Sequence, residues 1–131
     1  MTKYDEAFEP PAPIAKVTLR KIETGERIKG VSLLLDTGSD ISLLPHSSLK
    51  SLKVQPLKNE SFRLEGFDGN QSSAEVFYLQ VIFLGKRFTG KYCVIDDETG
   101  ILGRDVLNQV SILFAGRKLT WQEIVEESKE N

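Results

Sequence analysis

Short segments with the two-residue alternation of β-strands, separated by turn residues, make up most of this chain. Residues 15–20 alternate apolar and polar side chains, and residues 27–35 end in the apolar run Val31-Ser32-Leu33-Leu34-Leu35, which is apolar enough to be buried on both faces. Two further β-type runs, residues 62–66 and 74–84, flank an Asp68-Gly69 pair, a strong hairpin signal. Many short strands with little helix predict a mainly β domain, closed or sandwich-like.

Short helices and strand ends are predicted from local signals. Residues 41–44 form an apolar strand that Pro45 stops, and Ser47-Ser48 can cap a short helix that ends at Leu52. Residues 104–108 are a second short helix candidate, directly after Ile101-Leu102-Gly103. Helix therefore contributes little to the predicted fold.

The chain of 131 residues is predicted to contain one domain with a segment at each end. Residues 1–13 end in Pro10-Pro11-Ala12-Pro13, which disfavours helix and predicts a flexible or surface-laid arm. Residues 14–121 form the folded domain, and residues 122–131 are an acidic tail with helical character. A domain of this size has one core and no room for two lobes.

Composition excludes several classes of function. The chain has 17 Lys and Arg against 19 Asp and Glu, so its net charge of −2 argues against nucleic-acid and anionic-membrane partners. Cys93 is the single cysteine and no Cys/His pair is spaced for zinc, so neither a metal nor a cofactor is expected. The longest apolar run, residues 76–84, is too short to span a bilayer. These features predict a cytoplasmic protein.

The residues best suited to chemistry are Asp36-Thr37-Gly38, directly after the apolar run that ends at Leu35. The triplet alone is weak evidence, because residue usage predicts it by chance in roughly one such chain in thirty to forty. Its context holds a carboxylate rigidly near low-dielectric surroundings, where a pKa can be tuned. Ile101-Leu102-Gly103 is suited to pack behind this turn, and the hairpin between the two motifs, with Gly66 and Gly69, is suited to act as a lid.

These residues together resemble the retropepsin-like aspartic proteases, single-lobe relatives of pepsin found in retroviruses, retroelements and bacteria. The resemblance covers about residues 15–114, and its specific parts are residues 34–40 and 101–107. It implies an all-β, closed barrel with one short helix after Ile-Leu-Gly, working as a homodimer. It also implies an aspartic endopeptidase that hydrolyses peptide or protein substrates. In retroviral members the chain ends interleave to hold the dimer, and the proline-rich arm and C-terminal extension of this chain depart from that pattern.

The resemblance assigns roles to individual residues. Asp36 of each of two chains forms the catalytic pair, Thr37 bonds across the dimer beneath it, and Gly38 holds the substrate backbone. Asp40 contacts the substrate backbone at the groove edge, with Arg104 as its ion-pairing partner. The hairpin tip that covers the substrate consists of Gly66, Phe67, Asp68 and Gly69. The residues that support the site are Ser39, Leu102, Gly103 and Arg104.

The expected chemistry is that of a carboxylate pair. Two carboxylates about 3 Å apart cannot both ionise and share one proton, as is known for aspartic proteases. The ionised member takes a proton from a water that attacks the scissile carbonyl, and the protonated member donates to the carbonyl oxygen. A Ser39 hydroxyl that donates to ionised Asp36 would stabilise the charged form, which predicts an acidic optimum.

Other interpretations remain open at this point. Asp36-Thr37-Gly38 can be an ordinary β-turn, and Asp40 and Arg104 an ordinary surface ion pair. Asp105 is better explained as a charge at a helix N-terminus than as a catalyst. The same fold can also serve as a catalytically idle module that dimerises or binds peptides.

Overall fold

The computed structural model describes residues 1–65, 69 and 71–126 of the chain. These residues form eleven strands: β1 (Thr2–Lys3), β2 (Ile14–Arg20), β3 (Arg27–Leu35), β4 (Leu43–Pro45), β5 (Ser61–Glu65), β6 (Gln71–Glu75), β7 (Phe77–Phe83), β8 (Lys86–Ile95), β9 (Gly100–Leu102), β10 (Ile112–Ala115) and β11 (Thr120–Glu123). The helices are α1 (His46–Leu52), α2 (Arg104–Leu107) and a 3-10 helix (Gly116–Lys118). The predicted all-β class and the short helix after Ile-Leu-Gly are confirmed.

Six strands close into a barrel in the order β2-β3-β9-β4-β8-β7, as predicted. β3 has the predicted bounds, and its alternating residues Val31, Leu33 and Leu35 are buried. Ser32 and Leu34 are only half-buried, so the expected burial of both faces of β3 is incomplete. The core is an apolar interior that β2, β3 and β7 supply from every second residue.

A pair of parallel strands places the first motif beside the second. β3 and β9 run parallel with Leu34 opposite Ile101 and Leu35 opposite Leu102. β4 then runs antiparallel to β9 and parallel to β8. The residues after β3 and after β9 therefore leave the barrel at the same end.

The predicted hairpin is present as β5 and β6, which pair antiparallel from Ser61 opposite Glu75 to Glu65 opposite Gln71. The single run predicted over residues 74–84 is wrong, because the run is divided at Val76 between β6 and the barrel strand β7. Val76 is buried, and its carbonyl accepts the Leu57 N–H at 2.7 Å, so the chain bends into the core there. Of the predicted tip, Gly66, Phe67, Asp68 and Asn70 lie outside the described residues.

A second sheet, in the order β1-β11-β10, packs against the barrel through Trp121. The Trp121 ring lies 6.1 Å from that of Phe83, and its Nε1–H donates to the Ile14 carbonyl at 3.3 Å. The sheet bears on two predictions. Thr2 and Lys3 pair with β11, so the arm lies on the surface, which is one of the two predicted arrangements. Gln122 and Glu123 are strand residues where a helical tail was predicted. Residues 127–131 of that tail lie outside the described residues.

The strand before α1 is shorter than predicted, and one prediction for the start of α1 is wrong. β4 ends at Pro45, opposite Ile95, as predicted, but it begins at Leu43 instead of Ile41. Pro45 is also the N-cap of α1, and no side chain caps this helix, so Ser47 and Ser48 do not have the expected role. A proline at a strand end gives up no ladder hydrogen bond if its nitrogen faces away from the partner strand.

No helix in residues 1–65, 69 and 71–126 is both long enough and apolar enough to cross a membrane.

Cys93 is expected to react slowly with thiol reagents, because it is only 3% exposed in β8 and burial raises the pKa of its thiol. A raised pKa keeps the thiol protonated as the pH rises through its ordinary range near 8.5, and the thiolate is the reactive form. With Ellman's reagent at pH 8, the native protein should react at least about tenfold more slowly than the urea-unfolded chain. The control carries Cys93→Ser and Ser47→Cys, since Ser47 is exposed. If the native protein reacts as fast as this control, Cys93 is not buried.

Candidate active site

Two backbone hydrogen bonds, one from Leu35 and one from Asp36, fix the position of Asp36 at the end of β3. Its own N–H donates to the Leu102 carbonyl at 3.0 Å, and the preceding Leu35 N–H donates to the Pro13 carbonyl at 3.0 Å. Leu35 is buried, whereas Asp36 is half-buried at the mouth of the barrel. The carboxylate therefore stands on a rigid support with one side open to solvent.

The turn after Asp36 orients its carboxylate. The Gly38 N–H donates to Asp36 Oδ1 at 2.9 Å, and the Ser39 N–H donates to the Asp36 carbonyl at 3.2 Å. A Cβ atom on Gly38 would lie 3.1 Å from Oδ1, which crowds the same oxygen. Glycine at position 38 thus allows the backbone to approach the carboxylate that it binds.

Gly103 lies directly behind this turn, as the sequence predicts. A Cβ atom there would lie 2.5 Å from the Ile41 carbonyl oxygen and 2.8 Å from the Ser39 carbonyl oxygen. The next residue, Arg104, donates its N–H to the Ser39 carbonyl at 2.8 Å. The start of α2 therefore packs against the loop that follows Asp36, with no space for a side chain between them.

Arg104 does not pair with Asp40 as expected. Among the described residues the ion pairs are Lys86–Glu123 and Lys91–Glu60, and His46 Nδ1 lies 3.7 Å from Asp96 Oδ1. The guanidinium of Arg104 instead donates to the Thr37 carbonyl at 2.7 Å, and Asp40 is exposed. This contact gives the Thr37 carbonyl a hydrogen-bond partner. The Arg104 side chain therefore supports the backbone of the turn that follows Asp36.

Ser39 also has a different partner from the one expected. Its hydroxyl donates to the Ile41 carbonyl at 2.6 Å instead of to Asp36. This hydrogen bond links Ser39 to Ile41, two residues later in the same loop, and leaves the hydroxyl proton directed away from the Asp36 carboxylate. The argument for an acidic optimum from Ser39 therefore loses its basis.

A polar cluster around the buried Ser42, which was not predicted from the sequence, joins the two motifs. Ser42 is 0% exposed, and its hydroxyl donates to Asp105 Oδ1 at 2.6 Å while accepting the Gly103 N–H at 2.9 Å. The Ser42 N–H donates to the other oxygen of Asp105 at 3.0 Å. Asp105 is thus more than a charge in the first turn of α2, since its carboxylate binds the loop after Asp36. The available signal was a lone serine inside the apolar run of residues 41–44.

Tyr92 lies near this cluster. Its hydroxyl donates to the Phe88 carbonyl at 2.8 Å, and burial, with a smaller effect of the Asp105 charge, raises its pKa above the ordinary range. A raised pKa keeps the phenol protonated, so Tyr92 is a hydrogen-bond donor and not a candidate base.

A cavity of about 280 Å³ lies between the loop after Asp36 and the base of the β5–β6 hairpin. Its lining residues are Ile41, Ser42, Glu60, Ser61, Phe62, Val76, Lys91 and Cys93. Lys91 Nζ and Glu60 Oε1 form an ion pair of 2.5 Å among these residues, and both side chains are partly exposed. Because Ile41, Phe62 and Val76 are apolar, the cavity suits an apolar side chain of a ligand.

The structure brings the predicted site residues together only in part. Asp36, Thr37, Gly38, Ser39 and Arg104 form one hydrogen-bonded unit, and Leu102 and Gly103 are buried behind it. Gly69 is exposed, with a φ of +80° that suits glycine. Gly66, Phe67 and Asp68 lie outside the described residues, and in the described part of the chain no group of three His, Cys, Asp or Glu side chains is placed to hold a metal ion.

Two solved structures with a similar fold are viral proteases. EIAV protease complexed with the inhibitor HBY-793 matches with a TM-score of 0.58 and 24% identity, over 75% of this chain and 86% of that one. The solution structure of Simian Foamy Virus (mac) protease matches with a TM-score of 0.51 and 14% identity, over 73% and 92% of the two chains. No family model and no curated protein matches the sequence.

The closed barrel and these structural neighbours define the fold class. The chain has the retropepsin-like fold of the retroviral proteases, as the resemblance in the sequence implied. Sequence identities below 25% support only a shared fold. The chemistry of the site therefore depends on the residues of this chain.

Gly103→Ala is expected to destabilise the protein by about 1–3 kcal/mol, because the added methyl group meets two backbone carbonyls that cannot move independently. The measurement is urea unfolding followed by circular dichroism. Gly90→Ala is the matched control, since a Cβ atom at Gly90 would meet nothing within 4 Å and should change stability by less than about 0.5 kcal/mol. Equal losses for the two variants would contradict the close packing behind Asp36.

Ser42→Ala is expected to cost about 1–3 kcal/mol of stability, because it leaves the buried Gly103 N–H without its partner. Ser47→Ala, at an exposed position of α1, is the control and should be nearly neutral. Urea unfolding measures both changes. If Ser42→Ala is also neutral, the cluster does not hold the two motifs together.

Proposed function

We propose that this protein is an aspartic endopeptidase whose active site is shared by two identical chains. The observation that carries the proposal is the Asp36-Thr37-Gly38 turn, bonded through its backbone to the Ile101-Leu102-Gly103 strand at the mouth of a retropepsin-like barrel. The turn exposes one side of a carboxylate that is otherwise held on a buried support.

Two chains are needed because one chain supplies only half of the chemistry. The sequence contains a single Asp-Thr-Gly, and peptide hydrolysis by this route requires one carboxylate as base and another as acid. A second copy supplies the second Asp36. The net charge of −2 per chain imposes little long-range repulsion between copies.

In the proposed mechanism the two Asp36 carboxylates share one proton and titrate as a pair. The ionised carboxylate accepts a proton from a water as that water attacks the scissile carbonyl carbon. The protonated carboxylate donates its proton to the carbonyl oxygen, which gives a neutral tetrahedral intermediate. The C–N bond then breaks as the nitrogen takes a proton from one carboxyl and a hydroxyl of the intermediate gives its proton to the other, which restores the shared proton, and both products leave. The Gly38 N–H helps to hold the carboxylate in position during these transfers.

The proposed substrate is an extended peptide segment that lies across the barrel mouth under the β5–β6 hairpin. Extended peptides bind such grooves through backbone hydrogen bonds, and side pockets select side chains. The cavity beside Ile41, Phe62 and Val76 is proposed to take an apolar side chain. Thr37, Asp40 and the hairpin tip, residues 66–69, keep their roles by resemblance as part of this proposal. A cytoplasmic location is also part of it, in keeping with one buried, unpaired cysteine.

Asp36→Asn is expected to lower the rate of peptide cleavage by about a thousandfold or more, because the pair loses its ionisable base. The assay uses the purified protein with a diverse peptide mixture over a range of pH, with and without an aspartic protease inhibitor that mimics the transition state. Asp97→Asn, in an exposed loop, is the matched control and should cleave like the wild type. The wild type should show a bell-shaped profile from the two ionisations of the pair.

Three outcomes would reject the proposal. Cleavage that survives Asp36→Asn would assign catalysis to other residues. Absence of cleavage over the whole pH range would favour a module that binds peptides without hydrolysing them. A wild-type chain that sediments as a monomer at every concentration could not assemble the shared site.

A further inference from the structure

An ion pair forms part of the wall of the cavity beside Asp36. Lys91 of β8 and Glu60, the residue before β5, both line this cavity, and their Nζ and Oε1 atoms are in contact. Lys91 and Cys93 lie on the outer face of β8, because Tyr92 between them belongs to the buried core. The pair therefore spans the gap between the barrel wall and the base of the hairpin.

The pair supplies all of the charge in the lining of this cavity. Of the described residues that line it, only Glu60 and Lys91 are charged, whereas Ile41, Phe62 and Val76 are apolar. The side chains of Glu60 and Lys91 are 41% and 57% exposed, so they stand where the cavity opens to solvent. A ligand side chain that enters the cavity therefore meets apolar walls and, at the opening, one charge of each sign.

The wall of the cavity belongs to the same hydrogen-bonded unit as the Asp36 turn. Ile41 and Ser42 line the cavity, and the Ile41 carbonyl accepts the Ser39 hydroxyl at 2.6 Å. The Asp105 carboxylate lies behind Ser42, which donates to both of its oxygens, so this charge is already bound within the fold. A substrate side chain in the cavity is therefore held in a fixed position relative to the proposed catalytic carboxylate.

The two charges of the pair oppose a ligand charge of either sign. Lys91 repels a positively charged side chain and Glu60 a negatively charged one, while the attraction to the other member is weakened because that member is already paired. A charged side chain also loses water against the apolar walls. An apolar side chain meets neither cost, and sites select ligands by such unfavourable contacts as well as by favourable ones.

We propose that the Glu60–Lys91 pair determines the substrate specificity of this cavity by excluding side chains of either charge. The intact pair restricts the cavity to an uncharged, apolar side chain of the peptide. Loss of Lys91 leaves Glu60 free to bind a lysine or arginine side chain, and loss of Glu60 leaves Lys91 free to bind an aspartate or glutamate side chain. The inference rests on the proposed function and names two residues that select its substrate.

The test removes each charge in turn from the full-length chain and varies the substrate. A peptide that the wild type cleaves is substituted with leucine, lysine or glutamate at each position around the scissile bond, and kcat/KM is measured for every peptide. At one position the wild type should cleave the leucine peptide at least about fivefold better than both charged peptides. Lys91→Met should raise kcat/KM for the lysine peptide relative to the leucine peptide roughly fivefold, and Glu60→Gln should do the same for the glutamate peptide.

Two control variants and a second measurement accompany this test. Glu60→Lys combined with Lys91→Glu keeps an ion pair with its charges exchanged and should keep the wild-type preference. Lys86→Met breaks another ion pair of β8, the one with Glu123, and should leave the preference unchanged because neither residue lines the cavity. Binding of the same peptides to the Asp36→Asn variant, followed by fluorescence anisotropy, measures the preference without requiring cleavage.

The outcomes separate this inference from the proposed function. If the two single variants lower the cleavage of all peptides equally, the pair only holds the hairpin against the barrel, and the inference is wrong. If no peptide position responds in opposite directions to the two variants, the inference is also wrong, and the proposed protease stands. If the wild type cleaves no peptide but the binding preference switches as expected, the proposed function fails and the selective cavity stands. If neither cleavage nor binding is found, both fail.

Discussion

The hydrogen bond from the Asp36 N–H to the Leu102 carbonyl is the contact on which the site depends. It continues the parallel pairing of β3 and β9 by one residue beyond the strand, so the carboxylate leaves the barrel in a fixed direction. Parallel pairing requires a long connection, and here that connection contains β4, α1, the hairpin, β7 and β8. The segment between β3 and β9 is therefore the connection that places Ile101-Leu102-Gly103 beside Asp36.

Close packing and one buried cluster make this contact rigid. Gly103 lets the start of α2 touch the loop after Asp36, and Ser42 bonds at once to Gly103 and to Asp105. The bond between Ser42 and the Gly103 N–H is buried, so losing it would leave an unsatisfied backbone group in a low-dielectric interior. Arg104 adds a bond to the Thr37 carbonyl from the solvent side. The turn after Asp36 is therefore held on one side by Gly103 and Ser42 and on the other by Arg104. The carboxylate of Asp36 stays half-exposed.

Local sequence pattern was enough to predict most of the barrel strands, but it was not enough to predict the partners of polar side chains. β3 has the predicted bounds because alternation and turn residues are properties of the local sequence. The break at Val76 was missed, since it depends on a hydrogen bond to Leu57. The resemblance assigned Arg104 to Asp40, whereas the Thr37 carbonyl accepts a hydrogen bond from its guanidinium. Ser42 and Asp105 lie far apart in the sequence, and only the folded β4 and α2 bring them together.

Under the proposed function, the fold that holds Asp36 supplies only half of an active site. A single lobe presents one carboxylate, so the proposed chemistry requires a second lobe whose Asp36 lies within a few ångströms. If a two-fold axis relates the two copies, their Asp36 carboxylates are equivalent until one proton distinguishes them.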